Sequence, residues 1–460
     1  MKFSVLGKKI ELLILLSLLL LTGCKDDHEN TGTAHDPSKP VEITGFSPKK
    51  GGARTRLYIE GKNFGSNVND IYVTIGGKAA KVIGSNGEFI YCMVPFKASE
   101  GTIEVKVGNN GTPVVAKEKF EYQSRTIVGT VAGYVDETGK VEVKDGTFEE
   151  AGFSGPGWIT VDPKDKNKFY LTDGNEWSGS AIRLLDINER TVSTLLTKGE
   201  GNWESIRSCA FTMTGDTMLV VNQTAADGAV GISYVTRANG FKKPQPLIRE
   251  KTVCTVAVHP NGELYYNNRN TGLFYRYDIK SQTKVSIGTV GRKGDANFIF
   301  IHPTGNYAYV VNGQGKVIYK LEYDWVNKTL KNANVICGVL GKEGWLDGQG
   351  TNAILGNPME GVFVKNEQYV RDNKEDHYDF YFADGTSHSI RYLTPEGFVH
   401  TYAGRGSQGV NNNPYGYVDG DLRQEARFNY PLGLHYDEEN KIFYIGDTRN
   451  KRVRNIQKDE

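Results

Sequence analysis

The chain has 460 residues, with 55 lysine and arginine residues against 54 aspartate and glutamate residues. That length exceeds what one ordinary hydrophobic core holds, so we expect more than one domain. A formal charge of +1, without a basic cluster in the sequence, argues against nucleic acid or another polyanion as the main partner. The cysteines are scattered and form no Cys-x-x-Cys pair, so the sequence indicates neither a zinc site nor a disulfide framework.

The N-terminus, residues 1–23, has the pattern of a secretory signal peptide. Three lysines precede an apolar run from Ile10 to Leu21, which is too short to span a membrane. The run ends in "LTGC", which resembles a bacterial lipobox. This resemblance implies cleavage after residue 23 and lipidation of Cys24, whose acyl chains would hold the protein on a membrane. The alternative is an ordinary signal peptide followed by a chance cysteine.

Residues 24–39 are expected to form a flexible tether, because they are polar and have no apolar periodicity. "KDD", directly after Cys24, resembles the lysine-plus-acidic export signal of Bacteroidetes lipoproteins. That resemblance implies display on the extracellular face of the outer membrane. A solvated, charged tether is the alternative explanation of these three residues.

Residues 40–123 alternate short apolar strands with glycine turns, a pattern that predicts a small antiparallel sandwich. The stretches "FSPKKGG", "IEGKNFG" and "IGG" resemble the IPT/TIG family of immunoglobulin-like domains. In this family the GxNFG turn reverses the chain, and glycine supplies positive φ. The resemblance implies a spacer or docking platform, and sometimes a binding domain.

Residues 124–460 repeat a different pattern. Its clearest copies are "KDGTFEEAGFSGPG", "LDGQGTNAILGNPMEG" and "VDGDLRQEARFNYPLG", each followed by two alternating strands joined by a turn that contains aspartate. Degenerate copies lie between them. Together they give six units of roughly 40 to 60 residues, the period of a four-stranded blade.

These units resemble NHL-repeat β-propellers, most strongly in the first unit and the last two. The sixth unit stops after three strands, and "RTIVGTVAG" before the first unit matches the missing outer strand. We therefore expect this N-terminal strand to complete the last blade and close the ring. The predicted fold is all-β: an immunoglobulin-like (IPT/TIG) sandwich followed by a six-bladed NHL-like β-propeller closed by an N-terminal strand.

The loops of such a propeller divide between two faces. Loops that enter a blade share one face, here called the first face, with the loops between second and third strands. Loops between first and second strands form the second face. The first-face loops are long and rich in aromatic residues, asparagine and arginine, whereas second-face loops such as "HPNG" and "HPTG" are tight turns. We therefore expect function on the first face, at the mouth of the central channel.

Candidate ligand contacts on the first face follow from the chemistry of sugars, which stack on aromatic rings and bind amide and guanidinium donors. Three residues are candidate platforms: Trp177, Trp203 and Tyr415. Five are candidate polar contacts: Asn202, Arg207, Asn268, Arg269 and Asn297. Packing between blades is the alternative for the two tryptophans.

Other residues of the same region are interpreted as structural. Trp345 and Tyr417 occupy equivalent positions in two repeats, so we expect them to pack within the blades. Among the acidic residues, Glu360 is interpreted as a solvated carboxylate, as are Glu204 and Asp421.

The histidines do not favour an enzyme. His259 and His302 precede tight turns on the second face and are expected to cap them. Only His388 and His435 could approach the first face, and neither has a metal-ligand partner at a recognisable spacing. No Gly-x-Ser-x-Gly elbow or P-loop is present. We therefore predict no catalytic residue, metal or cofactor.

The sequence thus predicts a surface lipoprotein that binds an extracellular polysaccharide or oligosaccharide. Its Bacteroidetes resemblance implies uptake with a TonB-dependent transporter and the glycan-binding lid lipoprotein of that transporter as partners. The first alternative is a protein-binding or assembly module on the cell surface. The second is a metal-dependent propeller lyase or hydrolase, because residues that line a channel come from different blades.

Overall fold

The computed structural model describes residues 32–175, 178–406 and 413–459. These residues are almost entirely strand and loop, with one short α-helix, Glu367–Arg371. Single 3-10 turns lie at Val68–Asp70, Arg237–Asn239, Gly350–Asn352 and Thr448–Asn450. Within the described segments, no helix is long and apolar enough to cross a membrane. The predicted signal peptide and Cys24 lie outside the described residues.

The chain divides into two compact units, of which the first runs to Arg125 and includes Asp459. Its main sheet has seven antiparallel strands. In sheet order they are Glu42–Ser47, Arg56–Lys62, Phe89–Met93, Lys78–Ser85, Ile71–Ile75, Ile103–Val107 and Val114–Val115. A further pair, Lys50–Gly51 with Glu121–Tyr122, is parallel. Alternate residues of the strands are buried and form one hydrophobic core, as the sequence pattern predicts.

The residues of the GxNFG turn in this unit have different structural roles. Asn63 and Gly65 have φ of +61° and +79°, so the positive φ is shared between asparagine and the second glycine. Gly61 is needed for space instead, because a Cβ there would lie 1.9 Å from the carbonyl oxygen of Glu42. The Asn63 amide also donates to the carbonyl of Lys39 at 2.7 Å, which fixes the segment before the first strand.

The second unit, Thr126 to Lys458, contains six antiparallel groups of four strands among its described residues. We call these groups blades 1 to 6 in chain order. Blade 1 consists of Pro156–Asp162, Asp165–Gly174, Gly179–Asp186 and Thr191–Thr197. Blade 2 consists of Ile206–Phe211, Thr217–Asn222, Val230–Thr236 and Gln245–Arg249. Blade 3 consists of Val256–Val258, Leu264–Asn268, Leu273–Asp278 and Thr283–Thr289. Blade 4 consists of Asn297–Ile301, Tyr307–Asn312, Val317–Asp324 and Thr329–Gly338. Blade 5 consists of Pro358–Lys365, Tyr378–Asp384, Ser389–Leu393 and Phe398–Gly404.

Blade 6 closes the ring of this unit. It consists of Pro431–Asp437, Ile442–Asp447, Arg452–Lys458 and, as outer strand, Thr126–Ala132. The predicted N-terminal strand is therefore present, and it pairs antiparallel with the third strand. The first strand of each blade contacts the first strand of the next, and that of blade 6 contacts that of blade 1. This closed arrangement leaves the first strands around a central channel, as in a β-propeller.

A buried arginine lies at the centre of the repeat in blades 1, 5 and 6. Arg183, Arg391 and Arg454 are at most 1% exposed. In blade 5, Nη1 of Arg391 lies 3.1 Å from a carboxylate oxygen of Asp384, which ends the second strand. Nη2 lies 2.9 Å from Asp347, the aspartate of the Asp-Gly repeat. The remaining guanidinium protons on these two nitrogens reach main-chain carbonyls.

The same contacts recur in the other two blades. Arg183 binds Asp173 and Asp145, and Arg454 binds Asp447 and Asp419. Each Asp-Gly segment also adds a short strand to the outer edge of its blade, at Gly146–Thr147, Gly348–Gln349 and Gly420–Asp421. The repeat sequence therefore encodes one ionic network that joins the entry segment to the second and third strands.

In blades 2 and 3, asparagine takes the place of the buried aspartate. The Asn222 side chain accepts the main-chain N–H of Glu204 at 2.9 Å, and Asn267 accepts that of Cys254 at 3.0 Å. Asp384 accepts the N–H of Asn357 in the same way, at 2.7 Å. An amide supplies a donor and an acceptor without charge, so no buried arginine has to balance it. This exchange accounts for the missing arginine in two of the three units whose repeat pattern is degenerate, blades 2 and 3.

The substitution Arg391→Met tests the network. It leaves the charge of buried Asp384 without its partner, which is expected to lower the free energy of unfolding by about 3–5 kcal/mol. Thermal unfolding followed by circular dichroism should therefore show a clearly lower Tm.

Arg190→Met is the matched control, because Arg190 is 60% exposed and pairs with Glu149 on the surface. Loss of an exposed pair is expected to change the unfolding free energy by less than about 1 kcal/mol. Equal Tm values for the two variants would contradict the assigned role of Arg391.

Candidate functional site

Trp203 lies in the hydrophobic core between blades 1 and 2. Its side chain is 5% exposed, and its indole N–H donates to Ser233 Oγ at 3.1 Å. The surrounding cluster includes Ile182 of blade 1 and Val220 of blade 2. The prediction that Trp203 is a stacking platform is therefore wrong, because its ring is covered by protein. The packing alternative is the correct one.

Asn268 and Asn297 are buried scaffold residues. The Asn268 amide donates to Glu250 at 2.8 Å and accepts the N–H of Thr271 at 3.1 Å, which fixes the turn between two strands of blade 3. Asn297 begins blade 4 and donates to the carbonyl of Val290 at 3.3 Å. Both were predicted as ligand contacts, and their burial corrects that prediction.

The other predicted contacts divide into exposed residues and one undescribed residue. Asn202 is exposed at a turn with φ of +49°. Tyr415 is 44% exposed on the loop that enters blade 6. Trp177 lies outside the described residues. Of the three predicted aromatic platforms, Tyr415 is thus the one that the described structure leaves accessible.

Arg207 and Arg269 are half-buried on the first face. The Arg207 guanidinium lies 5.8 Å from the ring centroid of Phe298, directly above the apolar filling of the channel. Burial, and then the neighbouring Arg269 guanidinium, lower the pKa of Arg207. Arg269 is held by a hydrogen bond from Nε to the carbonyl of Gly294 at 2.6 Å. The two predicted arginines therefore lie close together at the mouth.

A cluster of polar and aromatic side chains lies between blades 5 and 6 on the same face. The His388 ring lies 5.2 Å from that of Tyr415, and its Nδ1 accepts the main-chain N–H of Tyr430 at 3.2 Å. The hydroxyl of Tyr430 accepts from Asn357 Nδ2 at 2.5 Å. Burial, and then the guanidinium groups of Arg405 and Arg449, lower the pKa of His388 to about 4, so this ring is neutral at pH 7.

Three further arginines adjoin this cluster. The guanidinium of Arg405 lies 4.0 Å from the ring centroid of Trp345, and that of Arg423 lies 5.7 Å from it. Arg449 lies 4.4 Å from the ring centroid of Tyr430. We define the arginine arc as these three residues together with Arg207 and Arg269. Arg405, Arg423 and Arg449 have no local signal in the sequence, because the members of the arc come from separate loops that only the closed ring brings together.

An apolar plug fills the channel beneath the first face. Trp158 stacks on Phe300 at 5.5 Å and lies 5.4 Å from Phe298. Met359 and Leu432 complete the plug. The first-face mouth is therefore separated from the other end of the channel by packed side chains.

On the second face the channel opens into a cavity of about 490 Å³, here called the vestibule. Its wall includes Trp158, Met213 and Glu360. Glu360 is buried rather than solvated, which corrects its interpretation from the sequence. Its Oε2 accepts the N–H groups of Ile159 at 2.8 Å and Leu434 at 2.9 Å, and burial raises its pKa well above the ordinary value. Glu360 thus joins blade 5 to blades 1 and 6.

The histidines of the second face cap turns, as expected. His259 Nδ1 accepts the N–H of Asn261 at 3.2 Å, and His302 Nδ1 accepts that of Thr304 at 3.3 Å. Among the described residues, no group of three or more histidine, cysteine, aspartate or glutamate side chains is placed to hold a metal ion. The four cysteines of the two units are buried free thiols, as the sequence predicts.

Comparison with known proteins gives relatives for both units. The IPT/TIG domain family matches residues 40–122. An auxiliary nutrient binding protein from Bacteroides thetaiotaomicron is 41% identical, with a TM-score of 0.78 over 93% of this chain and 100% of that chain. An auxiliary nutrient binding protein from Bacteroides ovatus is 37% identical, with a TM-score of 0.71 over 93% of this chain and 100% of that chain.

Other relatives carry different names. A further Bacteroides thetaiotaomicron structure, provisionally named a phosphatase, is 33% identical, with a TM-score of 0.73 over 93% of this chain and 99% of that chain. NHL repeat-containing protein 2 of Gallus gallus is 23% identical over 332 residues, which cover 68% of this chain. The present chain spans 40% of the length of that curated relative.

Three findings indicate the same family for this chain: the IPT/TIG match, the NHL relative and the identity to the solved structures over 93% of this chain. The chain therefore belongs to the family of Bacteroides IPT/TIG and NHL-type propeller proteins that includes these solved auxiliary nutrient binding proteins.

Proposed function

We propose that this chain binds an extracellular nutrient, a polysaccharide or oligosaccharide, on the first face of its propeller. The observation that carries the proposal is the exposed ring of Tyr415, set beside His388 and the arginine arc. Its solved relatives are named for nutrient binding, which supports a binding role for this chain as well.

The first face offers the chemistry that a sugar chain needs. Tyr415 presents an accessible aromatic ring for stacking. The guanidinium group of Arg405, held against the ring of Trp345, keeps N–H donors at its edge for hydroxyl groups. Asn202 adds an exposed amide on the loop that enters blade 2. This combination extends over several blades and suits an extended ligand.

The vestibule is a weaker candidate. Its largest aromatic ring, Trp158, packs against Phe298 and Phe300 inside the plug and is almost fully covered. Its buried acid, Glu360, already accepts two main-chain N–H groups that join three blades. These groups hold the ring together, so we place the ligand on the opposite face.

Tyr415→Ala should weaken binding. Loss of aromatic stacking is worth about 0.5–1.5 kcal/mol, which raises Kd roughly twofold to thirteenfold. Affinity electrophoresis through gels that contain one soluble polysaccharide each measures this effect, because a bound protein migrates more slowly.

Met213→Ala is the matched control, because Met213 is 58% exposed at the vestibule. Its retention should equal that of the native protein. Loss of retention in Met213→Ala but not in Tyr415→Ala would place the ligand in the vestibule. If no polysaccharide retards the native protein, the result favours the alternative of a protein-binding module over glycan binding.

A hydrolytic function is testable with the same preparation, because one relative is provisionally named a phosphatase. Our proposal expects no release of p-nitrophenol from p-nitrophenyl phosphate. Hydrolysis of p-nitrophenyl phosphate by the native protein that is lost on mutation of a first-face residue would indicate a catalytic function in place of the proposed binding function.

The proposal extends to the location of the protein. Residues 1–27 resemble the signal of a lipoprotein exported to the cell surface, which would hold the propeller beside a TonB-dependent transporter and its lid lipoprotein.

Cys24→Ala should therefore abolish labelling by a radioactive fatty acid and release the protein from the membrane fraction. An antibody against the propeller should label intact cells that express the native protein. Labelling of broken cells alone would overturn surface display.

A further inference from the structure

We infer that the vestibule is a second binding site, which takes a small, uncharged and mainly apolar molecule that carries a hydrogen-bond acceptor such as a carbonyl group. The inference goes beyond the proposed function, because this ligand is not a glycan and lies on the opposite face of the propeller. Two observations carry it. The vestibule is an apolar cavity in the central channel, and a buried acid in its wall has one carboxyl oxygen without a partner.

The vestibule has the size and the lining of a small-molecule site. Its volume of about 490 Å³ lies within the range of roughly 300–1,000 Å³ that such sites occupy. The first strand of each blade contributes an apolar residue to the wall: Val161, Phe211, Val258, Phe300, Phe363 and Leu434. The three phenylalanine rings are partly exposed. A ligand that enters along the channel therefore meets apolar side chains from all six blades.

Glu360 supplies a single directed polar contact in this wall. The residue is 3% exposed, and its Oε2 accepts the N–H groups of Ile159 and Leu434. Its other oxygen, Oε1, has no hydrogen-bond partner among the described residues, and it is not sealed inside the protein. Because Glu360 lines the vestibule, Oε1 is the atom that a ligand there can reach.

The contacts of Glu360 also decide which way its hydrogen bond runs. Burial raises the pKa of Glu360 well above its ordinary value, so the carboxyl group keeps its proton to a higher pH than an exposed glutamate does. Oε2 accepts two N–H groups, so the proton lies on Oε1. Oε1 therefore donates a hydrogen bond into the vestibule, and the matching group on a ligand is an acceptor.

The composition of the wall favours a ligand without charge. Among the described residues that line the vestibule, Glu360 carries the one carboxyl group, and none is a lysine or an arginine. An anion would meet no cation there, and a charged group is costly to move from water into an apolar cavity. An uncharged molecule gains from burial of its apolar surface and needs one acceptor for Oε1. A sugar fits poorly, because most of its hydroxyl groups would lose their hydrogen bonds to water.

Prand its parent ring test the inference as a matched pair of fluorescent probes, where Pr stands for prodan, an uncharged dimethylaminonaphthalene with a propionyl group. The carbonyl of prodan is the acceptor, and the parent dimethylaminonaphthalene lacks it. Prodan emission shifts to shorter wavelength in apolar surroundings, so titration of the full chain at pH 6 measures Kd. We expect one saturable site per chain. The parent ring should bind at least about fivefold more weakly, since a buried donor then stays unpaired.

Binding of prodan should weaken as the pH rises from 6 to 10. The donor is the protonated form of Glu360, which is present below its raised pKa and is lost above it. Cys209 and His435 share the wall of the vestibule. Burial raises the pKa of the Cys209 thiol and lowers the pKa of His435 to about 4, so both remain uncharged over this range. A change in Kd with pH therefore reports on Glu360.

Glu360→Gln separates the donor from the structural role of this residue. The amide oxygen can still accept the two N–H groups, while the amide nitrogen donates into the vestibule at every pH. This variant should bind prodan at pH 6 within about twofold of the native protein, and its Kd should no longer change with pH. Glu149→Gln, which alters an exposed acid paired with Arg190, is the matched control and should keep the native pH dependence. Circular dichroism at each pH shows whether each protein is folded.

Each contrary result overturns the inference. These results are equal Kd values for the two probes, the absence of a saturable site, and a pH dependence that persists in Glu360→Gln. Affinity that increases with pH would indicate a site for organic cations instead. If Glu360→Gln does not fold, the probe pair and the pH series of the native protein still decide. None of these results bears on the proposed glycan site, which is tested on the other face by Tyr415→Ala.

Discussion

Blades 1, 5 and 6 of the propeller each depend on a buried guanidinium that binds two aspartates of the same repeat. Arg391 joins Asp384, at the end of the second strand, to Asp347 in the segment that enters the blade. Asp347 in turn accepts the N–H of Thr401 on the outer strand at 2.8 Å. One network therefore fixes three strands and the entry loop. Such a buried network adds little net stability compared with an apolar core, but breaking it leaves an uncompensated charge, so it specifies one arrangement.

The blades are of two kinds, which differ in how they satisfy their buried polar groups. Blades 1, 5 and 6 satisfy the N–H groups before their first strand with an aspartate, and the aspartate then requires the arginine. Blades 2 and 3 use asparagine for the same N–H groups and need no cation. Because the loops on the first face begin where these polar residues lie, the networks also fix the positions from which the arginine arc extends. The loops of the first face are thus positioned by the way in which each blade satisfies its buried polar groups.

Much of the fold could be predicted from the sequence, because turns and alternating strands leave local patterns. The GxNFG turn, the Asp-Gly repeats and the strand that closes blade 6 are all read from neighbouring residues. The site could not be predicted to the same extent, because burial depends on tertiary packing. Trp203 lies in a polar loop but turns into the core, whereas Tyr415 in a similar loop stays exposed. Three members of the arginine arc, Arg405, Arg423 and Arg449, were missed because they are distant from one another in sequence.

The role of the buried arginine is tested most directly by amide hydrogen exchange of the native protein and Arg391→Met, followed by mass spectrometry. We predict faster exchange in the variant at Asn357 and Thr401, whose N–H groups bind Asp384 and Asp347. The amide of Cys254 in blade 3, which binds Asn267, should keep its native rate. Unchanged exchange at Asn357 and Thr401, or equal acceleration at all three amides, would contradict the role assigned to Arg391.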